Sequence, residues 1–271
     1  MTYIVVAIAL VGVITVAAVR IGMIERYFIY FPEGDVKANP SQFGLAYEEV
    51  TFVASDGVEL HGWFVPGQGS ETLLWFHGNA GNIGNRLENL KLLHGELGVN
   101  VFLFDYRGYG RSHGRPSEQG TYLDAEAALT YLGSRGDVSL ERVIYFGRSL
   151  GAAVAVEMGI RHPPRALILE SAFPSVPYMA RRAYPFFPVW PFLRTRYDSQ
   201  AKIAKVNAPV LMLHGDQDDI IPIEAGRRLF DAAKEPKEFY TIRGAGHNDT
   251  YLVGGQAYFD ALRRFVERLD T

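Results

Sequence analysis

The chain has 271 residues, 48% of them hydrophobic, enough to bury a full core and too apolar for a predominantly disordered protein. Lys+Arg 27 against Asp+Glu 30 gives a net charge of -3, without the basic surplus that phosphate contacts require, so nucleic acid is not an expected partner. The absence of cysteine removes disulfides, thiolate nucleophiles and cysteine-ligated metal sites, and leaves covalent chemistry to Ser, Thr, Lys, Asp, Glu or His.

From Thr2 to Val19, 18 residues run without a charge. As a helix they would extend about 27 Å, against roughly 30 Å of bilayer hydrocarbon. The expectation is a single-pass membrane anchor over residues 1–24. A cleaved signal peptide would want basic residues before the apolar run, and a buried or interfacial helix is the other alternative. Arg20, Arg26 and Lys37 follow the run and no basic side chain precedes it, which favours a cytoplasmic catalytic domain by the positive-inside rule. Residues 25–44 read as a juxtamembrane linker. Its Tyr27, Phe28, Tyr30 and Phe31 suit either the headgroup region or packing on a globular domain.

From residue 45 the pattern becomes that of an α/β domain extending to residue 271. Residues 45–54 and 58–65 alternate with period two around Ser55-Asp56-Gly57 and predict a hairpin. TLLWFH, VFLFD, VIYFG, ALILE, VLMLHG and EFYTI predict strands buried on both faces of a mostly parallel, eight-stranded sheet. Helices are predicted over 83–97, 121–133, 150–161, 223–233 and 256–269. An insertion of about 172–205 carries Pro174, Pro177, Pro185, Pro188 and Pro191 among eight aromatic residues. It predicts a small cap of short helices, either an apolar lid over an acyl pocket or a packing cluster with no ligand.

Gly147-Arg148-Ser149-Leu150-Gly151 lies between a predicted strand and a predicted helix, the context a G-x-S-x-G nucleophile turn requires. The glycines permit a strained serine whose Oγ stands above the sheet, with the helix N-terminus beside it. A neutral serine needs a base oriented by an acid. Of the histidines after Ser149, His162 suits helix capping and His214 a strand end, which leaves His247 on the loop Gly244-Ala245-Gly246-His247. The acid falls among Asp216, Asp218 and Asp219. Asp216 suits the turn itself, and the spacing H-G-x-x-D-x-x-I-P favours Asp218 over Asp219. The expected backbone donors for a tetrahedral oxyanion are Leu150 and, on the loop His77-Gly78-Asn79-Ala80-Gly81-Asn82, Asn79. His77 suits a structural hydrogen bond. The Gly-rich run Asp105 to Ser112 suits a tight loop near the site, and Arg181-Arg182 solvated charge or headgroup contact.

HGNAGN, DYRGYGRSHG, GRSLGA, LESAF, PVLMLHGDQDDIIP and GAGHND together resemble the α/β-hydrolase superfamily, and within it the ABHD-type serine hydrolases with an HGNAGN oxyanion loop. The likeness runs over about residues 45–269. It implies the α/β-hydrolase fold, Ser149, Asp218 and His247 as a triad, and Asn79 and Leu150 as oxyanion donors; no cofactor or metal is expected for such a mechanism. It also implies lipid hydrolases and protein depalmitoylases as relatives, while substrate does not travel with fold. The expected function is hydrolysis of carboxylic esters of lipid-like acyl groups, such as monoacylglycerol or lysophospholipid. Acyl-protein or acyl-CoA thioester cleavage is the alternative, and a non-catalytic binding protein of the same fold is a second.

Overall fold

The computed structural model describes residues 25–186 and 190–270, so the apolar run at 2–19 lies outside the described residues. Eight strands form one sheet: β2 (Glu48–Val53), β3 (Glu59–Val65), β4 (Thr72–Phe76), β6 (Asn100–Phe104), β7 (Val143–Arg148), β8 (Ala166–Glu170), β9 (Val210–Gly215) and β10 (Lys237–Ile242). Their order is β10-β9-β8-β7-β4-β6-β3-β2, antiparallel only at β2/β3 and β3/β6. A separate two-stranded pair joins β1 (Phe31–Pro32) in parallel to β5 (Ala80–Gly81).

The helices are α1 (Arg26–Ile29), α2 (Leu87–Leu97), α3 (Glu118–Ser134), α4 (Leu150–Arg161), α5 (Val176–Ala183), α6 (Ser199–Ile203), α7 (Ile223–Ala232) and α8 (Thr250–Glu267). Strand side chains alternate between two apolar layers, which is why the central strands read as continuous hydrophobic runs. In β4, Leu74 and Phe76 join the layer of α3 and α4, while Leu73 and Trp75 face Leu87, Leu90 and Leu93 of α2 and Tyr258 and Leu262 of α8.

Helix boundaries follow local chemistry. Ser117 accepts from the Gly120 N–H and starts α3 before Thr121, the expected first residue. The last helix begins at Thr250 rather than Gln256 and is interrupted at Gly255, whose φ of 50° is non-helical.

Residues 25–44, expected as a linker, pack on the domain. Tyr30 is buried and its hydroxyl meets that of buried Tyr197 at 3.0 Å. Tyr27, Phe28 and Phe31 are exposed, so the aromatic cluster divides between core and solvent. The cap divides likewise: Phe173 and Tyr197 enter the core, and Tyr184, Phe186 and Phe192 stay exposed. None of the described helices is long and apolar enough to cross a membrane.

The loop after β6 is pinned by Arg107. Its guanidinium bonds Asp56 at 2.7 and 3.0 Å and Asp124 at 2.9 Å, and its N–H donates to Asp124 at 2.8 Å. The Asp124 side chain has no exposure, so removing the guanidinium strands a buried carboxyl. Arg107→Ala is expected to cost about 3–5 kcal/mol in chemical denaturation, and a loss below about 1 kcal/mol would contradict this.

Candidate active site

The strand-to-helix turn after β7 holds Ser149 at φ 54° and ψ -118°, a conformation L-residues seldom adopt. Close packing enforces it. A Cβ at Gly151 would stand 1.9 Å from the Phe76 carbonyl oxygen, and one at Gly147 2.5 Å from the Gly151 oxygen. The helix α4 therefore starts almost in contact with the end of β4, and Ser149 is left above the sheet.

Two further loops converge on it. His247, after β10, lies with Nε2 3.2 Å from Ser149 Oγ. Asp218, after β9, takes the His247 Nδ1 hydrogen at 2.7 Å through Oδ2. A carboxylate only accepts, so Nδ1 carries the proton and the Nε2 lone pair faces the serine hydroxyl. All three side chains are buried. Burial raises the Asp218 carboxyl, but His247 and the Ile221 N–H outweigh it and hold the group below its ordinary value. Its Oδ1 accepts from the Ile220 and Ile221 N–H groups at 3.0 and 2.7 Å, which fixes the carboxylate plane.

The other sequence candidates fall elsewhere. Asp219 is exposed. Asp216, expected to cap its own turn, instead accepts from Gly244 N–H at 2.7 Å and ties the loop of Asp218 to that of His247. His214 donates Nε2–H to the Ile221 carbonyl at 2.7 Å, and burial lowers its pKa. Leu150 opens α4, and the loop carrying Asn79 passes the serine: a Cβ at Gly78 would meet Ser149 Cβ at 3.6 Å. Two surface hollows, one walled by Gln200, Glu224 and Arg228 and the other by Val53, Leu123 and Leu140, include none of Ser149, Asp218 or His247.

Sequence reasoning missed a buried clamp behind the base. Arg148 donates to the His247 carbonyl and, at 3.3 Å, to Asn248, while its Nε lies 3.1 Å from Glu170. Glu170 is fully buried and accepts from Thr250 at 2.7 Å and Tyr258 at 2.6 Å. The only signals in the sequence are an arginine inside G-x-S-x-G and an acid closing the next strand. No group of three or more His, Asp or Glu suited to a metal occurs among the described residues.

His77 and Asp105 form a second buried unit under the 77–82 loop, 3.7 Å apart and with no side-chain exposure. His77 Nδ1 donates to the Gly78 carbonyl at 2.7 Å. Burial lowers His77 to about 3 and raises Asp105 to about 7. Folding thus moves one proton from the imidazolium to the carboxyl: below its unfolded pKa of about 6.5 the histidine must lose a proton, and above about 3.9 the acid must gain one. Both shifts cost stability, but their slopes with pH have opposite signs and cancel between about pH 4 and 6.5. In Asp105→Asn only the histidine contribution is left, so stability should rise with pH across that window, by up to about 1.4 kcal/mol per pH unit. Urea titrations at several pH values read this, and parallel wild-type and variant profiles would contradict the neutral pair.

Residues 71–199 match the model of the alpha/beta hydrolase fold family. An uncharacterized protein of Mycobacterium tuberculosis is 43% identical over 95% of both chains. The alpha/beta hydrolase domain-containing protein WAV2 of Arabidopsis thaliana is 35% identical over 95% of this chain and 92% of its own. Among solved structures, an esterase of Pyrococcus furiosus superposes with a TM-score of 0.74 at 20% identity, covering 89% of this chain and 99% of that one, a likeness of fold.

Proposed function

The chain belongs to the α/β-hydrolase family, and on that premise we propose that it is a serine hydrolase of the ABHD type that cleaves carboxylic esters through an acyl-Ser149 intermediate. The observation that carries this reading is the hydrogen-bond chain from Asp218 through His247 to a strained, glycine-flanked Ser149. Ser149 Oγ attacks the ester carbonyl carbon as its proton passes to His247 Nε2. The negative oxygen of the tetrahedral intermediate is received by the Asn79 and Leu150 N–H groups. The carbon–oxygen ester bond then breaks and the leaving alkoxide takes the proton from His247. Water, activated by the same nitrogen, releases the acid and restores Ser149. Asp218 keeps the tautomer and stabilises imidazolium without taking the proton. No step requires a metal or cofactor.

The proposed substrates are lipid-like acyl esters presented at a membrane. The uncharged run at 2–19 is proposed as the anchor, with the domain on the cytoplasmic side. Exposed Tyr27, Phe28 and Phe31 beside Arg26 suit the headgroup region just beyond such a span.

Hydrolysis of p-nitrophenyl esters tests the reading. Ser149→Ala is expected to lose roughly 10⁴-fold or more in kcat, and Asp218→Asn roughly 10³- to 10⁴-fold. Equal turnover in wild type and Ser149→Ala would sink it. In an acyl-chain series, kcat/KM should rise from acetate to octanoate, and the reverse order would count against a lipid substrate. Deleting residues 1–24 is expected to shift the protein from the membrane to the soluble fraction, and unchanged partition would remove the anchor.

A further inference from the structure

We propose that residues 29–33 hold Asn79 as an oxyanion donor, so that the peptide following the apolar N-terminal segment is a positioning part of the active site. The inference rests on the serine-hydrolase reading above. A donor N–H is effective only if it is held within about half an ångström of its productive place. The loop from His77 to Asn82 has little regular structure of its own, only the two residues of β5, and Gly81 takes a φ of 75°. Its geometry must come from neighbours.

Asn79 is gripped at three points, and two of them come from this N-terminal peptide. Its side-chain Nδ2 donates to the Ile29 carbonyl at 2.7 Å. Its carbonyl accepts the Phe31 N–H at 2.9 Å, and the Tyr109 hydroxyl, the third point, at 2.9 Å. Further along, the Gly81 carbonyl accepts from Glu33 N–H at 3.2 Å, and Asn82 donates to the carbonyls of Glu33 and Asp35 at 3.1 and 2.9 Å. The carbonyl and side chain of Asn79 hold its Cα in place, and the Gly78 carbonyl, which shares a peptide plane with the Asn79 N–H, accepts from His77 Nδ1 at 2.7 Å, so the N–H is left with one direction.

The peptide is clamped on its other side to the cap. Glu25 accepts from the Arg194 and Thr195 N–H groups at 2.9 and 3.1 Å and from the Thr195 hydroxyl at 2.9 Å. Tyr30 meets Tyr197, whose hydroxyl lies 2.8 Å from Thr121 Oγ1. Tyr30 covers core, but Phe31 is half exposed, and the segment meets the loop through its own backbone groups.

Two variants of the full chain separate positioning from stability. Asn79→Ala removes the side-chain grip and keeps the backbone N–H, and Phe31→Pro removes the N–H that donates to the Asn79 carbonyl. Active sites are counted by titration with a fluorophosphonate, and kcat per titrated site and KM are measured with p-nitrophenyl butyrate. Each variant is expected to lose about tenfold or more in kcat per site with KM within about twofold. Affinity for a trifluoromethyl ketone, whose serine adduct carries the same oxyanion, should fall by the same factor as kcat/KM. If both variants keep wild-type kcat per site and lose only titratable sites, the segment is a structural strap and the inference is overturned. A wild-type chain that neither titrates nor turns over would contradict the hydrolase reading, and the inference with it.

Discussion

The start of α4 lies almost on the backbone at the end of β4, and the rest of the site depends on that approach. It leaves no room for a Cβ at Gly147 or Gly151 and holds Ser149 at φ 54°. Such a conformation costs on the order of 1–3 kcal/mol and persists only where its surroundings over-determine it. They do so here. β7 is paired on both sides in the middle of the sheet, and α4 buries Leu150 to Val156 without a gap. Strain at one serine is a small charge against that much buried apolar surface.

The remaining groups are placed relative to this turn by polar contacts, some buried and some at the surface, rather than by the apolar core. Arg148, one residue before the serine, reaches across to the His247 carbonyl and is itself set by Glu170 from the neighbouring strand. Asp216 ties the loop of Asp218 to that of His247 through Gly244. Tyr106 and Tyr109 prop the His77 and Asn79 carbonyls from below, and residues 29–33 hold the same loop from the side. The loops that carry His247, Asp218 and Asn79 each follow a strand of the sheet, which brings them together at the carboxyl ends of the strands, as in open α/β sheets.

Sequence patterns revealed most of this, for physical reasons that differ by element. The central strands were legible because both faces are covered, so TLLWF and ALILE are apolar throughout. Ser149 was legible because only glycine fits two residues before and two after it, and His247 because the other two downstream histidines had structural places. Contacts that depend on strand adjacency were not legible. Arg148 and Glu170 meet only because β7 and β8 pair, and nothing local to either residue says so. Residues 25–44 carry no strand period, because their hold on the loop of Asn79 is through two-residue pairing and backbone groups. The cap aromatics looked alike in sequence, yet Tyr197 is fully buried and Phe186 is exposed, a division set by tertiary contacts.

In the proposed mechanism one serine, raised by packing and deprotonated by a buried histidine, forms the covalent intermediate. To test this, the 271-residue chain is reacted with a fluorophosphonate and digested, and the modified peptide is located by mass spectrometry. The expected result is a single stoichiometric adduct on Ser149 that is lost in His247→Ala. An adduct distributed over other hydroxyl side chains, or none under conditions where a known serine hydrolase labels fully, would contradict it.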